Sequence, residues 1–138
     1  MIKLELSQQL NEFLIYDPVY DRYTFSKYDQ TLKINTYVPV SQNYMLCMKF
    51  NSLEVPVLRL FVNGKLYDNN LSKTKTGSLD YIISLNYKNG PYGFNEGMNL
   101  IEIKCIGRFP EVYELYLEKY EKVPSSIIPY KPSDFIVL

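Results

Sequence analysis

Val57-Leu58-Arg59-Leu60-Phe61-Val62-Asn63-Gly64-Lys65 alternates and then meets a turn. Successive side chains of an extended strand point to opposite faces, so Leu58, Leu60 and Val62 make one apolar row. Asn-Gly tolerates positive φ and is a strong hairpin signal, which makes Lys65-Leu66-Tyr67 the return strand. An echo follows downstream, where the turn Gly97-Met98-Asn99 and then Leu100 lead into a second row, Ile101, Ile103 and Cys105. Two strands of this kind can face a common core.

Moving upstream, residues 44–50 alternate Tyr44, Leu46, Met48 and Phe50 with Met45, Cys47 and Lys49. Both faces are apolar enough to be covered, as in a central strand. Residues 31–38 place Leu32, Ile34, Thr36 and Val38 on one face until Pro39 ends the run, a half-exposed strand. Residues 17–29 carry Asp17-Pro18, Asp21 and Asp29 among Tyr20, Tyr23, Phe25 and Tyr28, and read as an irregular aromatic loop. Residues 2–16 start with alternation and then place Leu10, Phe13 and Leu14 at near-helical spacing after Ser7, so strand and helix both stay open there.

Moving downstream, residues 68–78 are polar and aperiodic and read as an exposed loop. Tyr81, Ile83 and Leu85 define a short strand. The segment 86–97, with Gly90-Pro91, Gly93 and Gly97 among Tyr87, Tyr92 and Phe94, reads as a loop carrying exposed or edge-packed rings. Residues 107–111 form a turn, and 112–120 a last strand with Tyr113, Leu115 and Leu117 inward and Glu114, Tyr116, Glu118 and Tyr120 solvated. Seven or eight short strands separated by turn signals predict an all-β, antiparallel two-sheet β-sandwich over residues 1–121. The Pro-containing tail 122–138 ends Phe135-Ile136-Val137-Leu138, apolar enough to dock.

The central half of the sequence resembles the later strands of galactose-binding-like jelly rolls. The resemblance is carried by the strand at residues 44–50, by Val62-Asn63-Gly64-Lys65, and by Gly97-Met98-Asn99-Leu100-Ile101-Glu102-Ile103. It implies a jelly roll, with an immunoglobulin-like sandwich as the alternative because such sandwiches reuse these turns. A fold of this kind hosts glycan binders, enzyme appendages and assembly modules alike, so function must be sought in a site.

Composition narrows the choice. The 138 residues, 46% hydrophobic, suit one domain, and 15 Lys and Arg balance 15 Asp and Glu. A neutral chain lacks the field that gathers nucleic acid or an anionic membrane surface. No apolar run approaches the roughly 20 residues of a membrane helix, and the alternating start is unlike a signal peptide, so the expected chain is soluble and unprocessed. There is no histidine, which rules out Ser-His-Asp and Cys-His nucleophiles and histidine-bearing zinc sites. Cys47 and Cys105 are expected as two separate buried thiols.

Of the candidate constellations, the carboxylate pairs Asp17 with Asp21 and Glu111 with Glu114 have nothing that places them across a cleft. Asp17, Asp21 and Asp29 could gather calcium or simply cap turns; their spacing is that of no calcium loop. Lys65, Lys73 and Lys75 could meet phosphate or an acidic partner, or sit solvated. No enzyme activity, metal or cofactor is expected.

The stronger candidates are contact residues. Tyr87, Tyr92 and Phe94 supply rings, and Asn89, Asn95 and Glu96 polar groups, for a ligand or partner, unless those rings cap the sandwich core. In the tail, Ile127, Ile128, Tyr130, Phe135, Ile136, Val137 and Leu138 could pair with a neighbouring subunit or close this domain's own sheet. The expected function is a non-enzymatic subunit of a larger assembly of like or different chains, such as a capsid, fibre or tail accessory protein of a virus or phage. The alternatives are a carbohydrate-binding module using residues 87–94 and an intracellular adaptor.

Overall fold

The rows at residues 57–65 and 97–105 become neighbouring strands. The computed structural model describes residues 1–71, 75 and 85–120, with the backbone alone for 85–89. Within these residues the strands are β1 (Ile2–Lys3), β2 (Leu14–Asp17), β3 (Arg22–Phe25), β4 (Thr31–Val38), β5 (Gln42–Asn51), β6 (Val57–Val62), β7 (Lys65–Asp68), β8 (Leu85–Phe94), β9 (Gly97–Ile106) and β10 (Glu111–Lys119). One sheet runs β2-β3-β10-β5-β8, with β1 also paired to β10, and the other runs β4-β9-β6-β7. All pairings are antiparallel. The chain is therefore the predicted two-sheet sandwich.

Period-two alternation explains the core. Register sets Leu58 opposite Cys105, Leu60 opposite Ile103 and Val62 opposite Ile101, with Leu32 and Ile34 completing those rows from β4. All are buried against Tyr44, Leu46, Met48 and Phe50 of β5 and Val112, Leu115 and Leu117 of β10. Asn63 and Gly64 take φ of 52° and 81°, as the hairpin requires. Strand β5 lies between β10 and β8, the central place that its apolar faces implied. Cys47 and Cys105 are buried and separate.

Several expectations change. The aromatic loop is a hairpin, β2 with β3, in which Asp17 Oδ1 accepts from Val19 N (2.9 Å) and Asp21 Oδ1 accepts from Tyr16 OH (2.7 Å). The helical option for residues 7–14 gives way to turns. Asn11 explains why: Nδ2 donates to Lys33 O (2.9 Å) and Oδ1 accepts from Lys33 N (2.8 Å), so one side chain extends the β4 edge.

The segment expected as a loop at 86–97 is mostly strand β8. Gly90 and Pro91 together stand against Met45 alone, one extra residue in a register shift, since Tyr44 faces Tyr92 and Leu46 faces Asn89. Strand β8 ends the order of its sheet among the described residues, and an edge position with a bulge tolerates proline. Another bulge falls between Val112 and Glu114, turning Val112 inward and taking Tyr113 out of the row with Leu115 and Leu117. Residue Glu111 is no turn residue but the buried first residue of β10. Leu71, in the segment expected to be exposed, is buried and bonds Leu58 O through its N–H (2.9 Å). The strand expected around Tyr81 and Ile83 and the tail 122–138 lie outside the described residues.

Candidate functional site

At the end of the sandwich where β5 stops and β6 begins, three connections enclose a cleft of about 370 Å³. Its lining comes from residues 52–57, from residues 106–110 and from Tyr28. Val57 and Ile106, opposite each other in register, project outward beneath it. Leu53, Val55, Val57 and Ile106 are all exposed, so the shelf is apolar and wet.

The lining is held by contacts the sequence does not announce. Asp29, at φ 59°, donates its N–H to Gly107 O (2.9 Å), and its Oδ1 accepts from Gly107 N (2.7 Å). Gly107 has a φ of 90°, a conformation that L side chains rarely adopt. This two-bond clamp sets Tyr28 beside the 107–110 loop. Phe109 anchors that loop from below, buried edge-on to Phe25 with ring centroids 5.0 Å apart. Ser52 Oγ donates to Glu54 O and tightens the facing turn. Tyr28 itself is 66% exposed, so its ring is available for contact.

Behind the cleft lies a charged network. Arg108, a lining residue whose side chain is 51% exposed, places Nη2 3.6 Å from Glu111 Oε1. Glu111 Oε2 is 3.8 Å from Arg22 Nε, and Arg22 is also 3.4 Å from Asp17 Oδ2. Arg22 donates to Tyr113 OH (3.4 Å) and stacks over the Tyr20 ring at 4.6 Å. Asn51 Nδ2 reaches the same phenol oxygen at 2.9 Å. Burial pushes the Glu111 carboxyl above the ordinary glutamate range; Arg22 and then Arg108 pull it back, and Asp17 adds to the rise.

The residues singled out from sequence fall elsewhere. Tyr92 and Phe94 are 8% and 3% exposed and belong to the core, with the Tyr92 hydroxyl donating to Asp68 Oδ2 (2.6 Å) and Phe94 edge-on to Tyr44. Asn95 is exposed in the turn after β8, and its carbonyl accepts from Asn99 Nδ2 (2.8 Å). That turn adjoins Gln42, at the opposite end of β5 from the cleft, about 30 Å away at about 3.3 Å per residue. Tyr87 and Asn89 stand opposite Met48 and Leu46 in register, and their side chains lie outside the described residues, as do the tail positions Ile127, Ile128, Tyr130 and 135–138. Of the carboxylate pairs, Glu111 is buried among arginines while Glu114 is exposed. Asp17 and Asp21 brace the β2–β3 hairpin, Asp29 ties Gly107, and no cluster of metal-ligating side chains occurs among the described residues. Lys65 and Lys75 are exposed, and Lys73 is outside the description. Tyr28, read only as part of the aromatic segment, and Arg108 are marked as site residues by no local pattern; the one available sign was the apolar content of the turn Leu53-Glu54-Val55-Pro56.

No family model matches the sequence, and no curated protein does. Solved structures do match the fold. A family 35 carbohydrate binding module from Paenibacillus barcinonensis has a TM-score of 0.65 at 16% identity, over 78% of this chain and 90% of that one. One from Clostridium thermocellum has 0.62 at 19% identity, over 72% and 78%. A Podospora anserina GH26-CBM35 β-(1,4)-mannanase has 0.59 at 12% identity, over 75% of this chain and 22% of that one. The chain thus has the jelly-roll β-sandwich fold of these modules. Among the described residues no helix is long and apolar enough to cross a membrane.

Proposed function

We propose that the protein is a non-catalytic binding module that holds a glycan in the end cleft. The observation that carries this reading is the cleft lining, where an exposed tyrosine ring, an apolar shelf and a half-exposed guanidinium meet in one concavity. A sugar ring offers the matching chemistry, with a C–H face to lie on Tyr28 and hydroxyls to accept from Arg108. The resemblance in fold to carbohydrate binding modules supports the same reading. The contact set first read from sequence, Tyr87, Asn89, Tyr92, Phe94 and Asn95, gives way here to Tyr28 and Arg108.

Affinity electrophoresis against soluble xylan, glucuronoxylan and galactomannan tests it. Retardation that falls at least tenfold in Tyr28→Ala and in Arg108→Ala is the expected result. Wild-type protein that migrates unretarded in every polysaccharide overturns the reading.

A second reading, assembly with other protein subunits, draws support from the outer face of the β4-β9-β6-β7 sheet. There Tyr37 pairs with Met98 and Phe61 with Leu66, and Tyr37, Met98 and Leu66 are exposed. The comparisons favour the glycan reading over its viral or phage version. Removal of residues 125–138 should abolish co-purification with a partner if the tail docks; co-purification that persists counts against that role.

A further inference from the structure

We propose that Glu111 makes ligand binding in the end cleft acid-sensitive: its carboxylate holds the Arg108 guanidinium at the cleft wall, and protonation releases that guanidinium and weakens binding. The inference rests on the glycan-binding reading of the cleft and adds a means of regulating it.

Geometry supports the device. The Glu111 side chain is 7% exposed, and each carboxylate oxygen faces a different arginine, Arg108 at 3.6 Å and Arg22 at 3.8 Å. Arg22 is fixed from behind by Asp17, by the Tyr113 hydroxyl and by the Tyr20 ring, and its side chain is only 11% exposed. One end of the relay is therefore anchored in β2 and β3, and the other ends at the cleft. The backbone around Arg108 is held by the Asp29–Gly107 clamp on one side and by buried Phe109 and Pro110 on the other. What the backbone leaves undetermined is the long Arg108 side chain, and Glu111 is the group that orients it. An arginine with its rotamers already restricted loses less freedom when a ligand binds.

The charges that face Glu111 come from every packed element. They are Asp17 on β2, Arg22 on β3 and Arg108 on the preceding loop, while the Tyr113 phenol of β10 meets Arg22. On β5 the register partner is uncharged Asn51, and Lys49 lies over the Tyr113 ring at 6.0 Å. Burial outweighs the arginines, so Glu111 takes up its proton above the ordinary glutamate range. On protonation Arg22 keeps Asp17, while Arg108 loses the anion that held it. Glu54 in the lining and Asp29 at the Gly107 contact are further carboxylates near the cleft, so the assignment needs a variant as well as a pH series.

The test combines two measurements on the full chain. The first is the affinity for whichever of soluble xylan, glucuronoxylan or galactomannan the wild type binds, taken from pH 7.5 to pH 4.5. Wild type should weaken at least fivefold over that range. Glu111→Gln and Arg108→Gln should each be weaker at pH 7.5 and nearly flat with pH, and wild-type-like amide spectra would show that the variants are folded. A folded Glu111→Gln with the wild-type affinity and pH profile overturns the proposal.

The second measurement needs no ligand. The Glu111 carboxyl resonance should titrate at higher pH in Arg108→Gln than in wild type, because one of its cations is gone. An unmoved titration overturns the Glu111–Arg108 pairing. Failure of wild type to bind any of the polysaccharides would instead fell the glycan reading and the acid-release claim with it, and the resonance shift would still decide whether Glu111 and Arg108 are coupled.

Discussion

Asn63 and Asn99, 36 residues apart, are joined by a hydrogen bond in which Asn63 Nδ2 donates to Asn99 Oδ1 at 3.0 Å. The two residues come from the two turns that carried the jelly-roll resemblance. Asn63 also accepts from Leu100 N at Oδ1 and donates its own N–H to Leu100 O, both at 2.8 Å. Asn99, buried, spends its Nδ2 on the carbonyls of Asn95 and Gly97. A hairpin turn and a strand entry are thus one hydrogen-bonded unit.

Replacing either asparagine strands its partners. Asn63→Ala leaves Leu100 N and Asn99 Oδ1 without these contacts and puts alanine at positive φ; Asn99→Ala leaves the Asn95 and Gly97 carbonyls. Each should cost about 1–3 kcal/mol in urea unfolding, and a double-mutant cycle should return a coupling of about 0.5–3 kcal/mol. A cycle that closes to zero would mean that the two turns are independent.

Leu60 is fully buried between Ile103 and the facing sheet, whereas Tyr37 is exposed on the outer face. Leu60→Ala should destabilise by about 2–5 kcal/mol and Tyr37→Ala by no more than about 0.5 kcal/mol, read from the same denaturation curves.

Gly90 has a φ of 119°, and a Cβ there would stand 3.1 Å from Tyr44 O and from Tyr92 Cδ2. Gly90→Ala should lower stability by about 1–3 kcal/mol, with the largest amide shifts at Tyr44 and Tyr92. Gly64→Ala meets no neighbour and bears only the conformational cost.

Glu111 carries a pH signature of its own. Its carboxyl in the folded protein is pushed above the ordinary range, chiefly by burial, so the folded state binds the proton more tightly than the unfolded chain. The stability it contributes is complete below the unfolded value and is lost as pH rises through the folded one. The unfolding free energy of wild type minus that of Glu111→Gln should therefore increase as pH falls from 7 through the mildly acidic range, opposite in sign to a salt-bridged carboxylate with a depressed value.

Cys105 is buried, and desolvation first, then the nearby Asp29 charge, pushes its thiol up to about 12. The thiolate is the reactive species, so Cys105 should stay unlabelled by a disulfide reagent at pH 8 until denaturant is added. Mass spectrometry of the labelled peptide reads this directly.

The legible parts of the fold were those where local pattern and tertiary burial agree. The rows Leu58-Leu60-Val62 and Ile101-Ile103-Cys105 have period two because one face of each strand is buried, and the periodicity survives in the sequence. Asp29 shows the limit of local reading, because its bond partner Gly107 lies 78 residues away. Gly90-Pro91 misled because glycine and proline punctuate turns and bulges alike; only pairing with β5 distinguishes them. The bulge before Glu114 misled differently, since one inserted residue exchanges the inward and outward roles around Val112 and Tyr113 without altering the alternation.

The candidate site was barely legible. Tyr28, residues 52–57 and Arg108 are far apart in sequence and meet only because β3, β5 and β9 end at the same edge of the sandwich. By itself, the sequence determined an all-β chain, its inward rows, its Asn-Gly hairpin and the absence of histidine chemistry, because each of these follows from residue identity and short-range spacing. Which loops share an end, that Tyr92 and Phe94 turn into the core, and that Glu111 joins Arg22 to Arg108 were decided by the tertiary structure. Those relationships depend on strand order and register, which arise from long-range pairing and are written in no local stretch of the chain.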